Sequence, residues 1–139
     1  LQTNPAMPVA ELCDAVGSTA AVTSRRLARL RADRIILGKE AIIDWFKLGY
    51  NVEVSLRVGL DKTQSRAFDD FIAAAREVPE VIEIQTFLGR VDVRLSVIAK
   101  DMTQYQQIYR TRILTLPHIA DIEALMQVAR IKLDEVLPV

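Results

Sequence analysis

The strongest constraint on the fold is a strict alternation of apolar residues with polar or small ones between residues 51 and 60. The apolar positions are Val52, Val54, Leu56, Val58 and Leu60, and the positions between them are Asn51, Glu53, Ser55, Arg57 and Gly59. A period of two predicts a β-strand with one buried face. Such a strand needs partner strands and a layer that covers its apolar face.

The residues that follow predict a helix and then two strands joined by a tight turn. The helix ends before Pro79, and its apolar face consists of Phe68, Phe71, Ile72 and Ala75. Residues 81–88 predict the second strand, and the alternating residues 93–99 predict the third. The turn between these strands runs from Gly89 to Asp92, and both residue types favour turns.

A second helix and a last strand complete this part of the chain. Asp101 and Gln104 have the spacing of a capping box, and Pro117 ends the helix that they begin. The inner stripe of that helix is Met102, Tyr105, Tyr109, Ile113 and Leu116. A strand-rich stretch then runs from Ile119 to about Leu133. The order βαββαβ over residues 51–139 predicts a ferredoxin-like sandwich, an antiparallel sheet with two helices on one face.

Residues 1–38 have a helical pattern that is interrupted at Gly17. A first short helix is predicted from Val9, Leu12, Cys13 and Val16, and Ser18 or Thr19 can cap the next one. That second helix would bury Leu27, Leu30 and, further on, Ile35. Two short helices around a glycine turn predict a helix-turn-helix unit, and residues 39–50 predict a wing or linking strand. The fold class is therefore α+β.

Charge is distributed unevenly along a chain whose 18 basic and 18 acidic residues cancel. Residues 1–50 hold 7 basic and 5 acidic residues, a net of +2, and the remainder has a net of −2. Five arginines lie between positions 25 and 34. Because the guanidinium fork fits phosphate oxygens and guanine edges, this cluster predicts that the helix contacts double-stranded DNA. The alternative is an ordinary solvated helix face. The candidate DNA-binding residues are Thr19, Ser24, Arg25, Arg26 and Arg29.

Composition excludes several other classes. Half of the residues are apolar, which excludes disorder, and one cysteine and one histidine exclude a disulfide scaffold and a histidine-rich metal site. We expect no catalytic residues, metal or cofactor, and hence no enzyme. No apolar run approaches the roughly 18–20 residues that span a bilayer, and no signal peptide is visible, so we expect a cytoplasmic protein without a membrane partner. Because the sequence lacks an initiator methionine, we expect that an N-terminal piece is missing.

Three stretches resemble the Lrp/AsnC (leucine-responsive, or feast/famine) transcriptional regulators. They are VAELCDAVGSTAAVTSRRLARLRADRIILG, with a V-G turn and an R-R-L-x-x-L pattern; PEVIEIQTFLGRVDVRLSVIAKDMTQY, with a G-x-x-D turn; and LPHIADIEALMQVARIK. The resemblance implies a winged helix-turn-helix whose first helix is absent from this sequence, a linking strand and a ferredoxin-like assembly domain. It further implies dimers that associate into tetramers or octamers, operator DNA, and an amino acid or related small-molecule effector.

The same resemblance implies an effector site where two dimers meet, formed by Leu88, Gly89, Arg90, Val91, Asp92, Ala124 and Met126. The backbone N–H groups of residues 89–91 would hold a carboxylate and Asp92 an ammonium, while Ala124 and Met126 would line the opposite wall. Taken without the resemblance, the G-x-x-D pattern is more simply a hairpin turn whose Asp bonds its own backbone.

Two alternatives remain at this point. Thr19-Ala20 stands where the family often has Ser-Pro, and Arg34 stands where it usually has Gly before the wing. Leu88 and Ala124 likewise replace a small polar residue and a Thr. The missing first helix and the Thr19-Ala20 departure favour a small-molecule-binding or assembly module without effective DNA binding, whereas Leu88 and Ala124 indicate an unusual effector or none. The second alternative, an enzyme on a ferredoxin-like scaffold, has only the isolated His118 as a candidate.

Overall fold

The computed structural model describes residues 1–133 and 135–139, which form two compact units. The larger unit spans residues 44–131, and the smaller one consists of residues 1–43 with the described residues of 132–139. The helices are α1 (Val9–Val16), α2 (Ala20–Ala32), α3 (Ala67–Arg76) and α4 (Met102–Ile108), and the strands are β1 (Val52–Leu60), β2 (Val81–Thr86), β3 (Val93–Ala99) and β4 (Ile119–Met126). Phe46–Leu48 form a short 3-10 helix, and Tyr109–Ile113 continue α4 as a π-helical turn.

The larger unit has the expected βαββαβ order. Its sheet runs β2-β3-β1-β4 with antiparallel neighbours, which confirms the α+β sandwich. The alternation that predicted β1 holds in three dimensions, because Val54, Leu56 and Val58 are buried while Arg57 is exposed. Leu56 pairs with Leu95 on β3 and with Ala124 on β4, so β1 lies between these two strands.

The core of this unit lies between the sheet and its helices. Phe71 of α3 and Ile113 of the π-helical turn are fully buried in one cluster with Leu56 and Leu95. Asp101 caps α4, as the capping-box spacing predicted, by accepting a hydrogen bond from the Gln104 amide at 2.7 Å. The helices and the sheet therefore pack through the apolar faces that the strand alternation and the helical spacing predicted.

Several apolar residues assigned to the core lie elsewhere. The buried stripe of α3 is Ala67, Phe71 and Ala75, at intervals of four residues, so Phe68 lies at its flank and is 38% exposed. Met102 is 40% exposed in the first turn of α4, whose buried residues are Tyr105 and Ile108. The last strand ends at Met126, seven residues before the expected end, and the Gln127 amide makes one further bond to the Glu53 carbonyl of β1 at 2.9 Å.

The smaller unit contains two helices, and local hydrogen bonds define the end of α1 and the start of α2. Gly17 follows α1 with φ 62°, and the amides of Gly17 and Ser18 donate to the carbonyls of Asp14 and Cys13. This pair of bonds is a Schellman motif, which needs a left-handed residue and so explains the glycine. Thr19 is the N-cap of α2, because its hydroxyl accepts from the Val22 amide at 3.3 Å.

The segment after α2 differs from the expectation. Arg34 reverses the chain with φ 56°, and Ile35 beyond it is 68% exposed rather than buried. The amides of Ile35 and Ile36 both donate back to the Leu30 carbonyl instead of joining a partner strand. Residues 35–44 of the described chain contain neither helix nor strand, so the expected wing or linking strand is not formed here.

Candidate DNA-binding helix and effector turn

Helix α2 presents its arginines away from its buried side. Thr23 and Leu27 are buried, whereas Ser24, Arg25, Arg26 and Arg29 are exposed. Arg25 and Arg29 each follow a buried residue by two positions, a rotation of about 200° around the helix. The two guanidinium groups therefore share the outer face, one turn apart.

Two of the candidate DNA residues already have local partners. The Thr19 hydroxyl accepts the capping bond from Val22, so its proton and one lone pair remain for another group. Arg29 lies 3.5 Å from Asp33, but both side chains are mostly exposed. An exposed pair of this kind is worth at most about 1 kcal/mol and does not prevent Arg29 from meeting a phosphate.

The turn between β2 and β3 is anchored by its aspartate. Asp92 is 4% exposed, and its Oδ2 accepts a hydrogen bond from the Leu60 amide at 2.8 Å. The Nζ of Lys62 lies 3.1 Å from the other carboxylate oxygen, Oδ1. The bond from Leu60 and then the Lys62 ammonium hold the pKa of Asp92 below its usual value, against the opposing effect of burial. Asp92 thus ties the turn to the end of β1 instead of bonding its own backbone.

The tip of the turn is open to solvent. Leu88, Gly89 and Arg90 are exposed, and Gly89 has φ 149°, a conformation that L side chains rarely adopt. In the part of the chain that the structure describes, the amides of residues 88–91 donate no hydrogen bond, while those of Phe87 and Asp92 are paired. A row of unpaired N–H groups beside an exposed guanidinium is suited to an anion.

The two parts of the expected effector site are not brought together within one chain. Ala124 and Met126 are exposed on β4, where they pair with Leu56 and Val54 of β1. The turn instead adjoins β3, on the other side of β1. Sequence reasoning also missed Lys62, since no local pattern indicates that it meets a carboxylate 30 positions away.

Other features of the described residues carry less chemistry. His118 Nε2 lies 3.0 Å from Asp70 Oδ2, and the His118 carbonyl accepts from the Asp61 amide at 2.8 Å, so this histidine joins α3 to the start of β4. No group of three or more possible metal ligands occurs among these residues. None of their helices is long and apolar enough to cross a membrane.

An exposed arginine helix and a ferredoxin-like sandwich with an open turn define the class as an α+β protein with two candidate binding surfaces, one on α2 and one at the β2–β3 turn. Residues 53–137 match the family model of the Lrp/AsnC ligand-binding domain. The HTH-type transcriptional regulator Zrp of Zymomonas mobilis is 30% identical over 99% of this chain and 90% of its own length. The proline dehydrogenase transcriptional activator of Rhodobacter capsulatus is 32% identical over 84% of this chain and 76% of its own.

Solved structures agree with this assignment. An AsnC family transcriptional regulator from Agrobacterium tumefaciens has a TM-score of 0.88 and 27% identity, covering 99% of this chain and 90% of its own. A Neisseria meningitidis transcriptional regulator in complex with L-methionine has a TM-score of 0.90 at 24% identity, covering 99% and 89%, and supports the fold alone. The chain belongs to the Lrp/AsnC family and is a transcriptional regulator of that type. The family resemblance of the sequence is thereby confirmed.

Proposed function

We propose that this protein binds operator DNA through residues 1–38 in the cytoplasm and responds to an amino acid or related small metabolite at the β2–β3 turn. Residues 39–50 would link this DNA-binding unit, a helix-turn-helix, to the effector-binding and assembly domain of residues 51–139. The observation that carries the DNA proposal is the outer face of α2, where Arg25 and Arg29 project opposite the buried Thr23 and Leu27. The arginines would contact phosphates, and Thr19 and Ser24 at the start of the helix would contact bases.

A salt titration tests the DNA surface. Arg25→Ala and Arg29→Ala, made singly in the full chain, should each weaken binding to the DNA upstream of its own gene. Each lost phosphate contact should also lower the slope of log K against log salt by about 0.9. Arg76→Ala, an exposed arginine of α3, is the matched control and should leave the slope unchanged. Equal slopes in all four proteins would refute the assignment and favour a module without DNA binding.

The effector proposal rests on the unpaired amides of residues 88–91 next to the exposed Arg90. These groups would hold the effector carboxylate. Relatives with the same fold, from Neisseria meningitidis and Mycobacterium tuberculosis, have structures with L-methionine bound. L-Methionine and other amino acids are therefore the first ligands for a thermal-shift screen, since a ligand at 100 times its Kd adds about 2.7 kcal/mol to stability.

A glycine pair provides the control for that screen. Gly89→Ala introduces a Cβ where φ is 149°, so the turn must change shape and the ligand-induced shift should be lost. Gly38→Ala adds the same atom in open space without a left-handed backbone and should retain the shift. A full shift in Gly89→Ala would place the effector elsewhere.

The divided site also supports an assembly. Ala124 and Met126 would complete the effector site from a second dimer, so homodimers would have to associate into at least a tetramer, or into an octamer. A two-fold dimer would present two α2 helices to successive major grooves of a palindromic operator. Sedimentation with and without L-methionine tests this, and a monomer at all concentrations would rule it out.

A further inference from the structure

Both oxygens of the Asp92 carboxylate already have partners within the chain. One oxygen is bonded to the Leu60 amide at 2.8 Å, and the other lies 3.1 Å from the Lys62 ammonium. Asp92 is 4% exposed and both of its oxygens have partners, and of these two partners only the exposed Lys62 side chain can move aside. An effector ammonium would therefore have to take the position that Lys62 occupies.

We propose that Lys62 is a specificity-determining residue, a tethered ammonium that replaces the α-ammonium of the effector on Asp92. This inference rests on the proposed effector site. The ligand class that follows is a carboxylate whose α-amino group contributes little to affinity, so an amino acid and its deaminated analogue bind alike. The turn amides and Arg90 would still hold the carboxylate.

Competition between the two ammonium groups favours the tethered one. The Lys62 side chain is 64% exposed, so it can leave, but it remains attached two residues from Leu60. A group held on a short flexible tether has an effective concentration of about millimolar. A free ligand at lower concentration does not displace it unless other contacts compensate.

The test compares two probes on the full chain. L-Methionine and 4-(methylthio)butanoate share a carboxylate and thioether chain and differ by the amino group. We expect their Kd values for the unaltered protein to agree within about threefold. In Lys62→Met, which keeps the apolar stem, L-methionine should bind about tenfold or more tightly than its analogue, the factor expected of one charge-assisted hydrogen bond.

Two further variants make the result decisive. Lys47→Met removes an exposed lysine paired with Asp44 at 3.6 Å and should keep the wild-type ratio of Kd values. Lys62→Gln keeps a hydrogen-bond donor on Asp92 but no charge, and it replaces Lys62→Met if that variant unfolds. An unaltered protein that prefers L-methionine tenfold, or a ratio unchanged by both Lys62 variants, overturns the inference alone. If neither probe binds the unaltered protein or any variant, the proposed effector site is overturned and this inference with it.

Discussion

Replacing Arg34 by glycine should stabilise the end of helix α2. Arg34 has φ 56°, its amide donates to the Arg31 carbonyl at 3.1 Å, and the Ile35 amide donates to Leu30 at 2.9 Å. These bonds form a Schellman motif, the same arrangement that α1 completes with Gly17. The arginine thus occupies a position whose backbone conformation favours glycine.

The magnitude follows from two opposing contributions. A left-handed conformation costs an L-residue roughly 1–2 kcal/mol. Glycine makes the unfolded chain more flexible, which offsets about 0.4–1 kcal/mol of that gain. The net stabilisation should be about 0.5–1 kcal/mol, which slows local opening about two- to fivefold.

Hydrogen exchange of peptides that cover α2 measures this effect directly. A single unfolding transition is less suitable, because the chain forms two compact units and need not unfold in one step. Arg34→Ala is the control: it removes the charge but retains the Cβ, and its exchange should resemble that of the unaltered protein. Gly17→Ala should do the reverse at α1, accelerating exchange, since its Cβ meets no atom within 4 Å and only the backbone is strained. Exchange in Arg34→Gly no slower than in Arg34→Ala would refute the backbone argument.

Two predictions concern the larger unit. Tyr105→Phe should be neutral or stabilise the protein by up to about 1 kcal/mol, because the buried Tyr105 hydroxyl has no partner among the described residues. Urea unfolding followed by Trp45 fluorescence measures this, and a loss above about 1 kcal/mol would reveal a partner. Asp92→Asn should reduce the dependence of the free energy of unfolding on pH in the acid range. The Leu60 hydrogen bond lowers the folded-state pKa of Asp92 below 3.8, so its contribution is present above that pH and is lost as pH falls through the folded value. Identical acid titrations of both proteins would contradict this.

The secondary structure could be predicted because each element carries its own local signal. The alternation at residues 52–60, the cap at Asp101 and the left-handed Gly17 all depend on a few neighbouring residues. Given βαββαβ, connection rules leave few sheet orders, and the observed order is one of them. The exposure of the α2 arginines could also be predicted, because it follows directly from helical spacing.

The contacts of the turn could not be predicted in the same way. The Lys62–Asp92 pair exists because β1 and β3 are neighbours and their registers bring position 60 beside position 92. No pattern within either segment encodes that register. The exposure of Ile35 likewise depends on the chain reversal at Arg34, an arginine at a position where the sequence offers no glycine to mark the end of the helix.

The anchoring of Asp92 changes how its function can be tested. Because its carboxylate satisfies the Leu60 amide, truncation would both unpair a backbone donor and remove any ligand contact. Loss of an effector response in such a variant would not distinguish a collapsed turn from a missing ligand bond. Lys62 is mostly exposed and pairs with Oδ1, whereas Leu60 bonds Oδ2, so replacing Lys62 leaves the Leu60 bond in place. A change in ligand preference at Lys62 therefore reports on recognition, whereas a change at Asp92 reports first on the turn.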